Sequence, residues 1–317
     1  MNTFQSIFAE HLTRYVQLRR QLGLRFECQE AMLCAFDRYA HERNYQGPLS
    51  QQLAWEFATS VASTATTVAS RRYLVVRHFS EYLATYDPST PRLDPKAIPR
   101  ARQQPPPYIF TEAQIAGLLR RATQFPRRHP IANMALRTMI GLAASTGLRL
   151  REIIGLDHAD VDLDTGILVI RRSKFDKDRI VPVHPSTLDV LRSYAASREQ
   201  VPPGGDETAF FLNARIRRYH PDSLDYLFGQ LVRKIDLHAP SGRMPTFRSL
   251  RHTFAVHRLL AWYHAGANVQ ALLPALATYM GHVHYTSTAY YLTATAETLG
   301  VAADLLLTSE VRHGQEP

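Results

Sequence analysis

The segment FRSLRHTFA at 247–255 is followed by YMGH at 279–282 and STAYYLT at 287–293, so Arg251, His282 and Tyr291 fall close together in the last third of the chain. Upstream, TGLRLRE at 146–152 supplies a second arginine, Arg149, with Glu152 three positions on. Paired N–H donors of two arginine forks neutralise phosphoryl oxygens. A histidine adds a further donor, and a phenolic oxygen makes a covalent bond to phosphorus. This set is what attack on a phosphodiester requires when no metal is present. A phenol has an ordinary pKa near 10, so it also needs cationic surroundings and a proton acceptor. Tyr290 adjoins Tyr291, but neighbours on a helix point about 100° apart, so both cannot face one phosphate.

The elements that must position these residues are mostly helical. Segments 4–22, 28–44, 51–62 and 65–86 carry apolar residues at three- and four-residue intervals, as in Phe4, Ile7, Phe8, Leu12 and Val16. A Pro-rich stretch follows, with Pro91, Pro95, Pro99, Pro105, Pro106 and Pro107. Proline cannot continue a helix, so an extended linker is expected here. Its charges are mainly basic: Arg92, Lys96, Arg100 and Arg102 against Asp94. Such a linker suits a chain that lies along phosphates, or a plain solvated connection. The same choice is open for Arg71, Arg72 and Arg77 in the fourth helical segment.

Beyond the linker, Thr111 and Gln114 form a capping-box pattern that opens a helix through about Ala122. A second runs from about Pro130 to Ser145 and stops at Gly147. At 160–183 the period changes: Ile167–Arg171 and Arg179–Val183 are β-rich, and Asp164-Thr165-Gly166 is a turn signal. A small antiparallel sheet is expected, with Ser173–Asp178 as its turn. Helices are expected at about 186–198, 222–235, 247–263, 267–279 and 286–293, with a last one near 297–309. The expected fold is mainly α with a small antiparallel β-sheet. It divides into a helical N-terminal domain (1–88), a Pro-rich basic linker (89–107) and an α+β domain (108–317).

A length of 317 residues accommodates two domains with cores of their own, and 45% hydrophobic with 21% charged residues is ordinary for a folded protein. Lys+Arg outnumber Asp+Glu by 37 to 28, a net charge of +9. That surplus points to a polyanionic partner, though a basic enzyme without one has the same balance. Cys28 and Cys34, spaced by six, match neither a redox pair nor a zinc pair and read as small hydrophobes in a reducing compartment. No apolar run reaches about 18 residues, so no membrane partner is expected. MNTFQSIFAEHLTRY lacks the basic-then-apolar pattern of a secretory signal. The economical reading is a cytoplasmic protein working on nucleic acid.

The ordered motifs from about 108 to 300 resemble the tyrosine recombinase (phage integrase) family, with some features of a transposon-type branch. Residues 1–90 resemble its helical core-binding domain in size, helicity and position. On this resemblance Arg149 and Arg251 are the two phosphate-binding arginines, and Glu152 is the acid that orients the first; a structural salt bridge of Glu152 with Arg151 or another neighbour is the competing reading. Lys174, in the turn between two strands, matches the general acid for the leaving 5′ oxygen; Lys177, three residues on, is a weaker match and a candidate DNA contact. His282 matches a hydrogen-bond donor to the phosphate, and Tyr291, nine residues later, matches the nucleophile. His252 matches a histidine in a supporting role. The family pattern His-x-x-Arg reads Arg248-Ser249-Leu250-Arg251 here. Arginine keeps a donor and a charge but cannot take a proton near neutrality, so Arg248 is expected as a third phosphate clamp, and any part a histidine there plays in deprotonating the tyrosine passes elsewhere or the chemistry slows.

The resemblance implies double-stranded DNA as partner and cleavage and rejoining through a 3′-phosphotyrosyl link, in integration or transposition of a mobile element. It implies no cofactor and no metal: His282 and His284 lack further ligands at suitable spacing. It also implies a homo-oligomer on DNA, with other recombinases as further partners, and a C-terminal helix packed on a neighbouring protomer or on its own domain. Arg71, Arg72, Arg77, Arg100 and Arg102 join Lys177 as DNA-contact candidates. The alternative function is a DNA-binding accessory protein of the same fold with an impaired active site.

Overall fold

The computed structural model describes residues 4–24, 26–61, 66–88, 90–98, 106–125, 129–171, 178–202, 204–238, 242–282, 286–292 and 300. They fall into two compact units, 1–104 and 105–317. Lys174, Lys177, Arg100, Arg102, His284 and, apart from Gly300, the expected helix at 297–309 lie outside the described residues. The architecture agrees with a mainly helical fold carrying a small antiparallel sheet.

The first unit holds α1 (Ala9–Gln21), α2 (Glu27–Glu42), α3 (Gln51–Thr59) and α4 (Thr66–Leu83). The three- and four-residue apolar spacing is realised as one buried stripe per helix, which brings Leu12, Phe36, Phe57, Val76 and Phe79 into one core. Phe36 and Phe57 meet edge to face at 5.3 Å. Buried Asp37 accepts from the Gln5 and Ser6 amides at 2.7 and 3.0 Å, which ties the segment before α1 to α2. Cys28 is exposed, in contrast to the expected packing as a small hydrophobe, and Cys34 is half-buried.

Residues 90–98 differ from the expected extended linker. Leu93 and Ile98 are buried in this core, the Asp94 amide donates to Gln51 Oε1 at 2.8 Å, and the Tyr73 hydroxyl donates to the Asp94 carbonyl at 2.7 Å. Prolines forbid helix there but do not prevent docking, and two apolar side chains between them find a place in the bundle.

The second unit is built around α6 (Pro130–Thr146), whose apolar residues are buried nearly all round; α5 (Glu112–Thr123), α8 (Pro185–Glu199) and α10 (Phe247–His264) pack against it. The Thr111–Gln114 capping box is formed, with the Gln114 amide 3.2 Å from Thr111 Oγ1 and the Thr111 amide 2.9 Å from Gln114 Oε1. A short α7 (Leu150–Ile154) follows the turn at Gly147. The sheet has the order β1-β2-β3: β1 (Val161–Asp162), β2 (Ile167–Ile170) and β3 (Arg179–Pro182). Leu168 pairs with Val161 on one side and Val181 on the other, and Ile170 pairs with Arg179. The chain continues through α9 (Pro221–Lys234), α10, α11 (Val269–Met280) and α12 (Thr286–Ala289), then a 3-10 turn at Tyr290–Leu292. Among the described residues no helix is long and apolar enough to cross a membrane.

Candidate active site

The site assembles at the C-terminus of α11. Helix ends leave their last carbonyls without intrahelical partners. Here Gly281 adopts the left-handed conformation (φ +67°), with the His282 amide reaching back to the Ala277 carbonyl at 2.8 Å and the Gly281 amide to that of Thr278 at 3.0 Å. The three following carbonyls go to three arginines from elsewhere in the fold. Arg179 Nε donates to Tyr279 O at 3.0 Å, Arg251 Nη2 to Met280 O at 2.8 Å, and Arg149 Nη2 to Gly281 O at 2.7 Å. The negative end of a helix thus offsets three positive charges gathered in one place.

Glu152 is the second organiser. Arg149 precedes α7, so its backbone amide donates to Glu152 Oε2 at 2.9 Å while its Nη1 donates to Oε1 at 2.7 Å. Arg179, at the start of β3, forks onto both oxygens at 2.9 and 2.8 Å. Burial pushes the Glu152 carboxyl up, but the Arg179 and Arg149 hydrogen bonds and charges outweigh it and hold it at about 2. Glu152 thus pairs both with Arg149, as the resemblance implies, and with another neighbour, Arg179, rather than with Arg151.

Arg251 is 5% exposed, and its Nη1 also donates to the Gly147 carbonyl at 2.6 Å. Burial, then the neighbouring Arg149 charge, lowers it to about 10, so it stays cationic at neutral pH. Each guanidinium has five N–H donors, and two of Arg251's are engaged by backbone, leaving others for a ligand. Arg248, Arg251 and His252 share one face of α10 by the i, i+3, i+4 rule. The Arg248 side chain is exposed, and its charge acts on both His252 and Tyr291.

Tyr291 is 3% exposed and packs with Phe254, Leu260 and Met280. Its hydroxyl lies 3.0 Å from His252 Nδ1. Burial raises the Tyr291 phenol, opposed by the Arg251 and Arg248 charges. Burial, then Arg248 and Arg251, lowers His252 to about 4, so its imidazole is neutral at pH 7. His282 stacks on the Tyr291 ring at 6.2 Å between centroids, and its Nδ1 lies 2.7 Å from Thr288 Oγ1, a fully buried hydroxyl. Burial, with the Arg251, Arg149 and Arg179 charges, lowers His282 to about 3. Tyr290 is 44% exposed and directed elsewhere, its ring edge-on to that of Tyr291.

The fold thus gathers Arg149, Arg251, His282 and Tyr291, with Arg248 beside them. Sequence reasoning passed over Arg179 and Thr288 and gave His252 a minor place. Arg179 was detectable: strand alternation puts it on the same face as buried Val181, while Ile180 points outward at 65% exposure, and an arginine facing inward needs a partner. In the first unit, Arg71 is exposed; Arg72 lies over the Phe57 ring at 3.9 Å and donates to Ser60 Oγ at 3.2 Å; Arg77 pairs with Glu81 at 3.3 Å. Among the described residues no group of three potential metal ligands occurs.

A family model described as the phage integrase family matches residues 109–298. A putative integrase/recombinase (y4rE) of Sinorhizobium fredii is 41% identical over 304 residues, covering 96% of this chain and 97% of that protein. Among solved structures, the Tn1549 transposon integrase in complex with transposon right end DNA aligns with a TM-score of 0.66 at 18% identity, over 94% of this chain and 99% of the other. A lambda integrase dimer bound to a COC′ core site aligns with a TM-score of 0.62 at 16% identity, over 92% and 78%. These two likenesses concern the fold; the family rests on the sequence matches, and the chain belongs to the phage integrase family, that of the tyrosine recombinases.

Proposed function

We propose that this chain is a site-specific DNA recombinase that cleaves and rejoins DNA in the integration or transposition of a mobile element. Arg149 and Arg251 hold the non-bridging oxygens of the scissile phosphate, Arg248 adds a third cationic donor, and His282 donates a further hydrogen bond. Tyr291 Oη attacks phosphorus, a 3′-phosphotyrosyl bond forms, and the 5′ oxygen leaves with a proton from Lys174. A 5′ hydroxyl of a partner duplex reverses the step, and because the bond energy is kept in the phosphotyrosine, no nucleotide cofactor is needed. The observation that carries this reading is the convergence of Arg149, Arg251, His282 and Tyr291 at one helix end.

The helical unit and the basic stretch after it, proposed as residues 1–88 and 89–107, bind the duplex, with Arg71, Arg72, Arg77, Arg100, Arg102 and Lys177 as contacts. Two or more protomers assemble on DNA, as in the lambda integrase dimer of similar fold. Nicked suicide duplexes tiled across the DNA flanking the chain's own gene test this reading. A covalent adduct with wild type and none with Tyr291→Phe supports it. Binding without an adduct in either sinks it in favour of an accessory protein, the reading that Arg248 in a histidine's place recommends.

A further inference from the structure

Arginine at 248 leaves open which group takes the proton of the nucleophile. We propose that His252 is that group, receiving the phenolic proton of Tyr291 at Nδ1 as the oxygen bonds to phosphorus. This rests on the recombinase reading above and adds a catalytic residue to it.

The geometry selects His252 by elimination as well as by contact. Its Nδ1 is 3.0 Å from the phenolic oxygen, within the range for direct proton transfer, and the two rings are 5.5 Å apart. Arg248 and Arg251 do not give up their protons at working pH and accept none. Glu152 is spoken for by Arg149 and Arg179 on both oxygens. The Nδ1 of His282 is engaged by Thr288, and its ring lies flat beside the phenol, 23° from parallel. Among the described residues, His252 is the neutral base in hydrogen-bond contact with the nucleophile.

The charges around the pair make the transfer conditional. Burial opposes a proton on the imidazole, and so do Arg248, one turn earlier on α10, and Arg251, the residue before His252. Facing it from the 3-10 turn is the buried phenol of Tyr291, with Tyr290 beside it and His282 stacked on its ring, itself held neutral by burial and the Arg251, Arg149 and Arg179 charges. In the DNA-free protein the proton therefore stays on Tyr291. A phosphodiester bound to Arg149 and Arg251 brings a negative charge that cancels the opposing field, so the imidazole gains basicity when substrate is present. The balance is complete. The Oη–P bond forms, the P–O5′ bond breaks, the phenolic proton passes to His252 Nδ1, and the 5′ oxygen takes its proton from Lys174. In the return step the attacking 5′ hydroxyl gives its proton to the amine of Lys174, the P–Oη bond breaks, and imidazolium gives its proton back to the departing phenolate.

The test uses the full chain and whichever flanking-DNA suicide duplex gives an adduct with wild type. His252→Asn places an amide near the Nδ1 position but cannot take a proton, and is expected to slow adduct formation about 100-fold or more while duplex affinity is retained. The defect is expected to persist on a duplex with a 5′-bridging sulfur, whose leaving group needs no acid. His252→Gly is expected to regain at least about tenfold with added imidazole. A His252→Asn rate within about threefold of wild type overturns the proposal, as does rescue of that variant by the bridging sulfur, which would make His252 the leaving-group acid. Loss of activity in a folded His252→Gly that imidazole does not restore overturns it too. If wild type forms no adduct with any duplex, the recombinase reading itself fails.

Discussion

Arg251 donates to the carbonyl of Gly147 at 2.6 Å, which ties the second arginine of the site to the turn that carries the first. Arg149 reaches in turn to the carbonyl of Gly281, next to His282. Each guanidinium therefore braces the loop that presents another functional residue, and the arginines are ordered before any phosphate arrives. Arginine loses about 2 kcal/mol of rotamer freedom when fixed, and here that cost falls on folding rather than on DNA binding.

Gly147 ends α6 with φ +65°, and a Cβ there would stand 2.5 Å from Phe254 Cδ1. Gly147→Ala combines left-handed strain with overpacking, an expected loss of about 2–4 kcal/mol in urea unfolding. Because the Gly147 carbonyl must shift, adduct formation by the folded fraction is expected to fall as well.

Glu152 gives the fold a specific acid sensitivity. Its carboxyl is held at about 2 against an ordinary 4.5, so its stabilisation is fully present above about pH 4.5 and is lost as pH falls towards 2. The size is on the order of 3 kcal/mol. Urea unfolding between pH 6 and pH 2.5 is expected to show this slope in wild type and a flatter one in Glu152→Gln. Arg179→Ala, which removes the forked partner, is expected to cost about 3 kcal/mol at pH 7.

Thr288→Val keeps the shape of a fully buried side chain and deletes the hydroxyl beside His282 Nδ1. The expected cost is about 1–2 kcal/mol, with adduct formation reduced on the order of tenfold as His282 loses its orientation. A rate equal to wild type would show that His282 is held by stacking alone.

Arg71 and Arg72 are neighbours with different expected behaviour. Arg71→Ala is expected to leave stability within about 0.5 kcal/mol and to reduce the salt dependence of DNA binding by about one ion. Arg72→Ala removes a guanidinium from the Phe57 ring and is expected to lower stability by about 0.5–1 kcal/mol. Fluorescence anisotropy over a salt series reads the DNA contact, and urea unfolding separates the two.

Most helices were legible because a three- and four-residue apolar period has one physical meaning, and the sheet because alternation and a turn signal coincide at 160–183. What escaped notice depends on contacts distant in sequence. Arg179 meets Glu152 and Tyr279 only after β3 and α11 pack together. His252 stands out only once the 3-10 turn brings Tyr291 to it, since spacing along α10 does not reveal what faces that helix. The docking of 90–98 was hidden by its prolines, which report on backbone torsion and say nothing of Leu93 and Ile98 reaching a core.

The end of α11 acts as a ruler for the whole centre. One residue inserted ahead of Tyr279 would rotate its last three carbonyls by about 100° and advance them by about 1.5 Å. Arg179, Arg251 and Arg149 would lose their acceptors together, with no change to any residue that touches DNA. A chain in which specificity is re-engineered can thus vary its surface arginines one at a time, whereas the length of this helix is fixed by three fittings at once.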